Sequence, residues 1–279
     1  YDRTTTKREN RTFEISFLAK ETGKETDFSI PVPNTESYAQ IFMKSLQWLN
    51  DELIVTVYQV RQDGEGEFIV YSFDPTEERL IEAERVISLP FQPNYEKELI
   101  ILRDDRVNRG NKYVVFREMS GELEEGHERE NGDLEVSSRH ATSQTIYVYN
   151  LETKQLTEHP LPEQIATYEN YILDHDTLYL MAEEAGHLNI VPFHLEQKEI
   201  GSMVVIDVQK TDSSWFGPLM ISEQKLYYII QHVHQLRPKV GIADVRTGDI
   251  LYQGVIEVRD VDKYHEGLTL DIIQIYLEK

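Results

Sequence analysis

The hydrophobic residues of this chain fall into short runs that are separated by Asp, Asn, Gly and Pro. Residues 53–58, 112–116, 145–149 and 225–230 are runs of this kind, and each is rich in β-branched and aromatic side chains. Such side chains fit the pleated, half-buried surface of a sheet, and few stretches show an apolar stripe of helical length. The pattern therefore predicts a protein that is mostly β.

Several of these runs repeat along the chain at a regular spacing. Residues 171–180 align without a gap on residues 219–228, an offset of 48, and both read as strand, polar turn, strand. A second hairpin follows in each case, so residues 193–200 resemble residues 243–250. Its tight turn lets an outer strand fold back on its neighbour. Each unit then holds about four strands.

Four complete units have the length and strand content of propeller blades. They lie at residues 38–91, 96–163, 168–209 and 213–259. The chain thus resembles the β-propeller superfamily over nearly its whole length, through hairpin spacing and without a Trp-Asp, kelch or Asp-box signature. The resemblance implies an all-β propeller with five four-stranded blades. The N-terminal hairpin of residues 13–32 and the C-terminal strands of residues 268–277 would together form the fifth blade and remove exposed edges.

The sequence predicts one monomeric propeller domain over residues 12–279, after a polar stalk or linker at residues 1–11. One segment, residues 38–50, has a second interpretation, because its apolar positions also fit the stripe of an amphipathic helix. A helix there would leave its unit short of a strand. The two interpretations stay open on the sequence alone.

The charge of the chain excludes several kinds of partner. Among 279 residues there are 28 Lys and Arg against 50 Asp and Glu, which gives a net charge of −22. Nucleic acids and anionic membrane surfaces are recognised by clustered Lys and Arg, so we expect neither as a partner. There is no cysteine, which excludes disulfides, thiolate zinc sites and a cysteine nucleophile.

The chain begins at Tyr1 with a polar segment and without a methionine. This start is typical of a stalk that remains after an upstream segment has been removed. We therefore expect the extracytoplasmic domain of a membrane-anchored or lipid-anchored bacterial protein. Its signal or anchor would lie upstream of residue 1.

Residues 118–135 form the most acidic stretch, with eight acids against one basic residue, Arg129. The simplest interpretation is an acidic insertion between two strands of one blade. A second interpretation is a contact surface for a partner, in a scaffold that acts through its outer rim. The stretch lacks the full spacing of a calcium loop.

Two pairs of residues are candidates for a site. His232 and His234 lie at two-residue spacing on a predicted strand, which places both imidazoles on one face, as in a metal chelate. A metal site needs at least one more ligand than this pair supplies. Trp215 and Phe216 could form an aromatic platform for a sugar or peptide, or they could pack between neighbouring blades.

No nucleophile or phosphate-binding motif occurs, since the chain has neither Gly-x-Ser-x-Gly nor a Walker sequence. Five carboxylates, those of Asp51, Asp105, Asp174, Asp176 and Glu223, fall in predicted turns rather than on inner strands. The sequence therefore predicts a non-catalytic binding or sensory module without a cofactor, whose partner is an unidentified protein or small molecule. The alternative is a propeller hydrolase, either a glycosidase or a metal-dependent enzyme.

Overall fold

The protein is described by a computed structural model in which nearly every element is a β-strand. The described residues also hold one short helix, α1 (Glu163–Ala166), and a 3-10 turn at Thr35–Ser37. The chain forms two compact units, unit 1 (Tyr1–Pro160) and unit 2 (Leu161–Lys279). The structure describes residues 12–18, 25–33, 35–77, 79–89, 97–102, 108–109, 111–122, 127–128, 134–135, 140–168, 170–210, 214–232 and 238–257.

Unit 1 contains an N-terminal hairpin, two larger antiparallel sheets and a few two-residue strands. Its strands are β1 (Thr12–Leu18), β2 (Glu25–Pro31), β3 (Tyr38–Leu49), β4 (Glu52–Arg61), β5 (Gly66–Asp74), β6 (Arg79–Leu89), β7 (Lys97–Leu102), β8 (Asn108–Arg109), β9 (Tyr113–Glu122), β10 (His127–Glu128), β11 (Leu134–Glu135), β12 (His140–Asn150) and β13 (Gln155–Pro160). β1 pairs with β2, and β10 pairs with β11. We call β3–β6 blade 1, to which β8 adds a parallel pair, and β7, β9, β12 and β13 blade 2.

Unit 2 contains two further sheets of the same kind. Its strands are β14 (Asn170–Asp174), β15 (Thr177–Glu184), β16 (His187–His194), β17 (Glu199–Ile200), β18 (Val204–Asp207), β19 (Ser214–Ser222), β20 (Lys225–His232), β21 (Lys239–Asp244) and β22 (Ile250–Val255). Blade 3 is β14–β18, in which β17 and β18 both pair with β16, and blade 4 is β19–β22. All of these pairs are antiparallel, and blade 4 follows chain order throughout.

The four blades confirm the all-β prediction and correspond to the four units delimited from the sequence. The hairpin predicted within residues 13–32 is β1 and β2. Residues 1–11 and 268–277 lie outside the described residues. The fifth blade and the single domain over residues 12–279 therefore stay predictions.

The segment 38–50 is strand β3 (Tyr38–Leu49) and the first residue of the following turn, so the helical interpretation is wrong. Its pairing with β4 slips between Met43 and Ser45, where a bulge inserts one extra residue. Because of this slip, Ile41 and Met43 before the bulge share a packing face with Leu46 and Trp48 after it. A strand with one bulge thus spaces its apolar residues by two, three and two, which resembles a helical stripe.

The turn between the third and fourth strands has the same construction in blades 2, 3 and 4. Its second residue is buried, and the backbone N–H of that residue donates to a carbonyl in the turn between the first and second strands of the same blade. The pairs are Leu151 with Lys112, Leu195 with Asp176, and Val245 with Gln224. In blade 1 this position is Pro75, which has no N–H to donate. The repeat seen in the sequence is therefore a repeated hydrogen-bonded turn.

The last residue of this turn adopts a left-handed conformation in the same three blades. Lys154 and Lys198 have φ of 58° and 61°, and Gly248 has φ of 80°. Each donates its N–H back to the first residue of the turn, 2.7–2.9 Å away. At Gly248 a side chain would also collide with the backbone oxygen of Val205. Glycine is thus required at this position in blade 4, whereas lysine is tolerated in blades 2 and 3.

Each unit has its own hydrophobic core. In unit 1, one cluster joins the β1–β2 hairpin to one face of blade 1, and a second joins the opposite face of blade 1 to blade 2. In unit 2, one cluster is shared between blades 3 and 4, with Met181, Leu188 and Ile206 from blade 3 packed with Leu226 and Ile230 from blade 4. This shared core positions the cavity described next.

Candidate functional site

A cavity of about 230 Å³ lies in unit 2 beside the shared core of blades 3 and 4. Residues 208 and 209, just beyond the end of β18, line one side, and β20, β21 and β22 of blade 4 line the other. Its walls are mainly aliphatic, with a few polar side chains. The lining residues are Val208, Gln209, Tyr228, Ile230, Lys239, Val240, Gln253, Gly254 and Val255.

One wall of the cavity depends on a glycine beneath a tyrosine. Tyr228 on β20 is 1% exposed, and its ring lies across β21 at Gly241. A Cβ at Gly241 would overlap the ring, with Cε1 only 2.6 Å away. The ring can therefore reach β22, where Gln253 Nε2 donates to the Tyr228 hydroxyl at 3.3 Å. Glycine inside a strand often marks such a close approach.

The Tyr228 hydroxyl keeps its proton at neutral pH. Burial raises the pKa of Tyr228, the hydrogen bond from Gln253 opposes this, and the negative charge of Asp207 raises the pKa further. A protonated hydroxyl has one hydrogen to donate in addition to the bond it accepts. The cavity is thus lined by a hydrogen-bond donor that is held in place by its neighbour.

Lys239 supplies the positive charge at the cavity. Its side chain is exposed, and it forms no ion pair with any residue that the structure describes. It lies close enough to His232 to lower the pKa of that imidazole, although burial is the larger cause. His232 is therefore neutral near pH 7.

His232 lies at the end of β20, on the same face as Tyr228 and Ile230, because alternate residues of a strand share a face. It is 8% exposed, and its Nε2 atom has no hydrogen-bond partner among the described residues. An unpartnered, buried imidazole nitrogen beside a cationic side chain is a group that a ligand could satisfy.

The backbone at Gln209 is held in an uncommon conformation. Gln209 has φ of 51°, which non-glycine residues seldom adopt. Its N–H donates to Asp207 Oδ1 at 3.2 Å, so the Asp207 side chain stabilises the turn. Strained positions of this kind often occur at ligand sites. Here the turn brings Gln209 to the cavity.

The structure places the residues singled out in the sequence as follows. Trp215 and Phe216 are successive residues of β19, so their rings lie on opposite faces of the sheet. Phe216 packs on the shared core, with its ring centroid 6.5 Å from that of Tyr228 in an edge-on arrangement. Ligand binding by this pair stays a prediction.

The other predicted groups remain separate from the cavity or undescribed. His234 lies outside the described residues, and no group of three or more His, Asp or Glu suited to a metal ion occurs among the residues the structure covers. The metal site at His232 and His234 stays a prediction. Asp51 and Glu223 occupy hairpin turns with φ of 65° and 52°. Most of the acidic stretch at residues 118–135 has no described side chains.

The sequence analysis missed Lys239 and Gln253. Neither belongs to a motif, and their meeting depends on the pairing of β21 with β22. The one available signal was Gly241, which interrupts an otherwise strand-like run.

Comparison with solved structures finds distantly similar folds. Similar folds occur in a luciferin-regenerating enzyme, with TM-score 0.45 and 10% identity over 93% of this chain and 76% of the other. The polysaccharide lyase Uly1 gives 0.49 and 11%, over 83% and 51%. The Dos1 propeller gives 0.40 and 10%, over 90% and 56%. The chain thus spans between half and about three quarters of these structures.

The chain is a β-propeller protein by fold class, with four meander blades among its described residues. Comparison with protein-family models and with curated proteins finds no match. The similar structures are too distant in sequence to indicate an activity. Among the described residues, no helix has the length and apolarity needed to cross a membrane.

The prediction of a non-catalytic binding or sensory module is wrong as an inference from this fold. Two of the three structures above are enzymes, and a post-proline cleaving enzyme is also among the similar folds. The prediction rested in part on the missing nucleophile motifs, but catalytic groups are recognised by their geometry and need not lie close together in sequence. Their absence as a sequence pattern therefore excludes nothing.

Proposed function

We propose that unit 2 recognises a small molecule with a carboxylate and a short apolar body in the cavity of blade 4. The proposal rests on the lining of the cavity, which combines aliphatic walls with the cation Lys239. Lys239 has no ion pair among the described residues. Recognition of a small anion is a step that enzymes and binding proteins share. The proposal therefore carries no claim that the protein is non-catalytic.

An anion is favoured over a cation for reasons of local charge. In a chain with 50 acids, Lys239 has no ion pair with a described residue, so a carboxylate in the cavity would gain an ion pair without displacing one of these residues. The Tyr228 hydroxyl adds a hydrogen-bonding group to the lining, and the His232 imidazole lies on the same face of β20, next to the lining residues. Both are neutral at pH 7, so neither repels the anion.

A small ligand is favoured by the volume. Pockets for drug-sized molecules usually measure roughly 300–1,000 Å³, and this cavity, at about 230 Å³, is smaller. Val208, Ile230, Val240 and Val255 offer apolar surface for a short hydrocarbon chain. A six-carbon monocarboxylate has suitable size and chemistry.

The experiment is a calorimetric titration with hexanoate, compared with hexanamide, which has the same shape and no charge. We expect hexanoate to bind more tightly. Lys239→Gln should weaken hexanoate binding by about fivefold, the equivalent of ~1 kcal/mol for an exposed ion pair, and leave hexanamide unchanged. Lys225→Gln, at the opposite end of β20, is the matched control. Equal affinities for acid and amide would contradict the proposal.

The extracytoplasmic location predicted from the sequence is retained as a second, separate proposal. Protease treatment of intact cells that express the full-length gene product provides its test. Digestion of the domain without cell lysis is the expected result, and complete protection until lysis would contradict it.

A further inference from the structure

Blade 1 carries a second surface with the character of a binding site, far along the chain from the cavity of blade 4. Phe42 on β3 is 43% exposed, and its ring stacks beside that of Tyr58 on β4, with centroids 6.4 Å apart and planes at 17°. The Tyr58 ring also packs against the ring of Phe68 in the core, with the two centroids 4.9 Å apart. The exposed ring is thus backed by two further aromatic rings, the second of which is buried.

Lys44 adds a positive charge to the same surface. Its Nζ atom lies 5.4 Å from the centroid of Phe42 and 5.8 Å from that of Tyr58. Lys44 is two residues from Phe42 on β3 and is the extra residue at the slip between Met43 and Ser45. Its ammonium group lies within the distance, about 6 Å, at which a cation interacts with an aromatic face.

Room for Tyr58 is provided by a glycine. A Cβ at Gly66 on β5 would lie 2.9 Å from Cε2 of the Tyr58 ring and would push it out of the stack. Three local features therefore build the surface: an ammonium group beside two rings, a glycine that accommodates Tyr58, and an exposed Phe42.

We propose that Phe42, Tyr58 and Lys44 form a binding site for an acidic sugar residue of an oligosaccharide. The C–H face of a sugar ring packs on an exposed aromatic ring, and the ammonium group of Lys44 pairs with the sugar carboxylate. An oligomer fits better than a free small acid, because small ligands are usually enclosed in pockets, whereas this platform is open. The net charge of −22 favours a short oligomer over a long polyanion.

The test is a calorimetric titration of the full chain with trigalacturonate and with its methyl ester, which keeps the rings and removes the charge. The structure predicts tighter binding of the acid. Phe42→Ala should weaken both ligands by about tenfold, as expected for loss of one stacking contact. Lys44→Gln should remove the preference for the acid, a change of about threefold.

Ile81→Ala is the matched control, because Ile81 lies on β6 of the same blade and is 42% exposed. It should leave both affinities unchanged. Circular dichroism and melting curves confirm that each variant is folded. No binding of trigalacturonate at millimolar concentration, or equal losses in Phe42→Ala and Ile81→Ala, would overturn the proposal. A Lys44→Gln variant that keeps the full preference for the acid would also overturn it.

Discussion

The close approach of Tyr228 to Gly241 makes a quantitative prediction about stability. In Gly241→Ala the new methyl group would overlap the Tyr228 ring, whose Cε1 atom lies 2.6 Å from the ideal Cβ position. Ordinary carbon contacts are about 3.5–4.0 Å. The ring cannot retreat far, because it is 1% exposed and packed in the core shared by blades 3 and 4.

The expected loss of stability follows from three contributions. Overpacking of a tight core costs about 1–3 kcal/mol. Displacement of the ring also breaks the hydrogen bond from Gln253, which is worth about 0.5–1.5 kcal/mol. Alanine is better than glycine in a strand by roughly 0.5–1 kcal/mol. The net decrease in the free energy of unfolding should be about 1–3 kcal/mol.

A double-mutant cycle with Tyr228→Leu separates the clash from other effects of Gly241→Ala. Leucine does not reach across β21, so the alanine should be neutral or slightly stabilising in that background. The coupling free energy, measured by urea unfolding of the four proteins, should be about 2 kcal/mol. An equal cost of Gly241→Ala with tyrosine and with leucine would refute the reasoning.

Further predictions concern the repeated turns and the domain. Lys198→Gly should raise the free energy of unfolding by about 0.5–1 kcal/mol, because it relieves a left-handed lysine, whereas Gly248→Ala should lower it by about 1 kcal/mol or more. Asp244 has a pKa lowered to about 2, chiefly by hydrogen bonds from Arg246. The Asp244 carboxylate therefore makes its full contribution to the free energy of unfolding above about pH 4, and this contribution disappears towards pH 2. Stability measured by urea unfolding should fall less steeply between pH 4 and pH 2 in Asp244→Asn than in the parent protein, and equal slopes would argue against this. Calorimetry of residues 12–279 should show one cooperative transition, and two separated transitions would contradict a single domain.

The repeat was predictable from the sequence where its chemistry is local. Leu195 and Val245 occupy the same position of a tight turn, and their polar neighbours mark that turn without any knowledge of tertiary structure. In contrast, the strand at residues 38–49 was ambiguous, because a bulge changes the spacing of its apolar residues. A bulge is defined by the register with the partner strand, and the sequence of one segment does not reveal that register.

The site was less predictable than the fold. His232 was singled out for a metal chelate with His234; among the described residues it lies near Lys239 and pairs with Ser214 of β19. Lys239 and Gln253 come together through strand pairing across fourteen residues of sequence. No spacing rule connects them. Only the position of Gly241 hinted that a side chain crosses the sheet there.

The most direct test of the ligand site is amide chemical-shift mapping of the labelled protein during a titration with hexanoate. We predict saturable shifts at Gln209, Lys239 and Gln253, which line the cavity, with hexanamide shifting the same residues at higher concentration. Shifts that are absent, or that centre on residues remote from blade 4, would contradict a ligand site in this cavity.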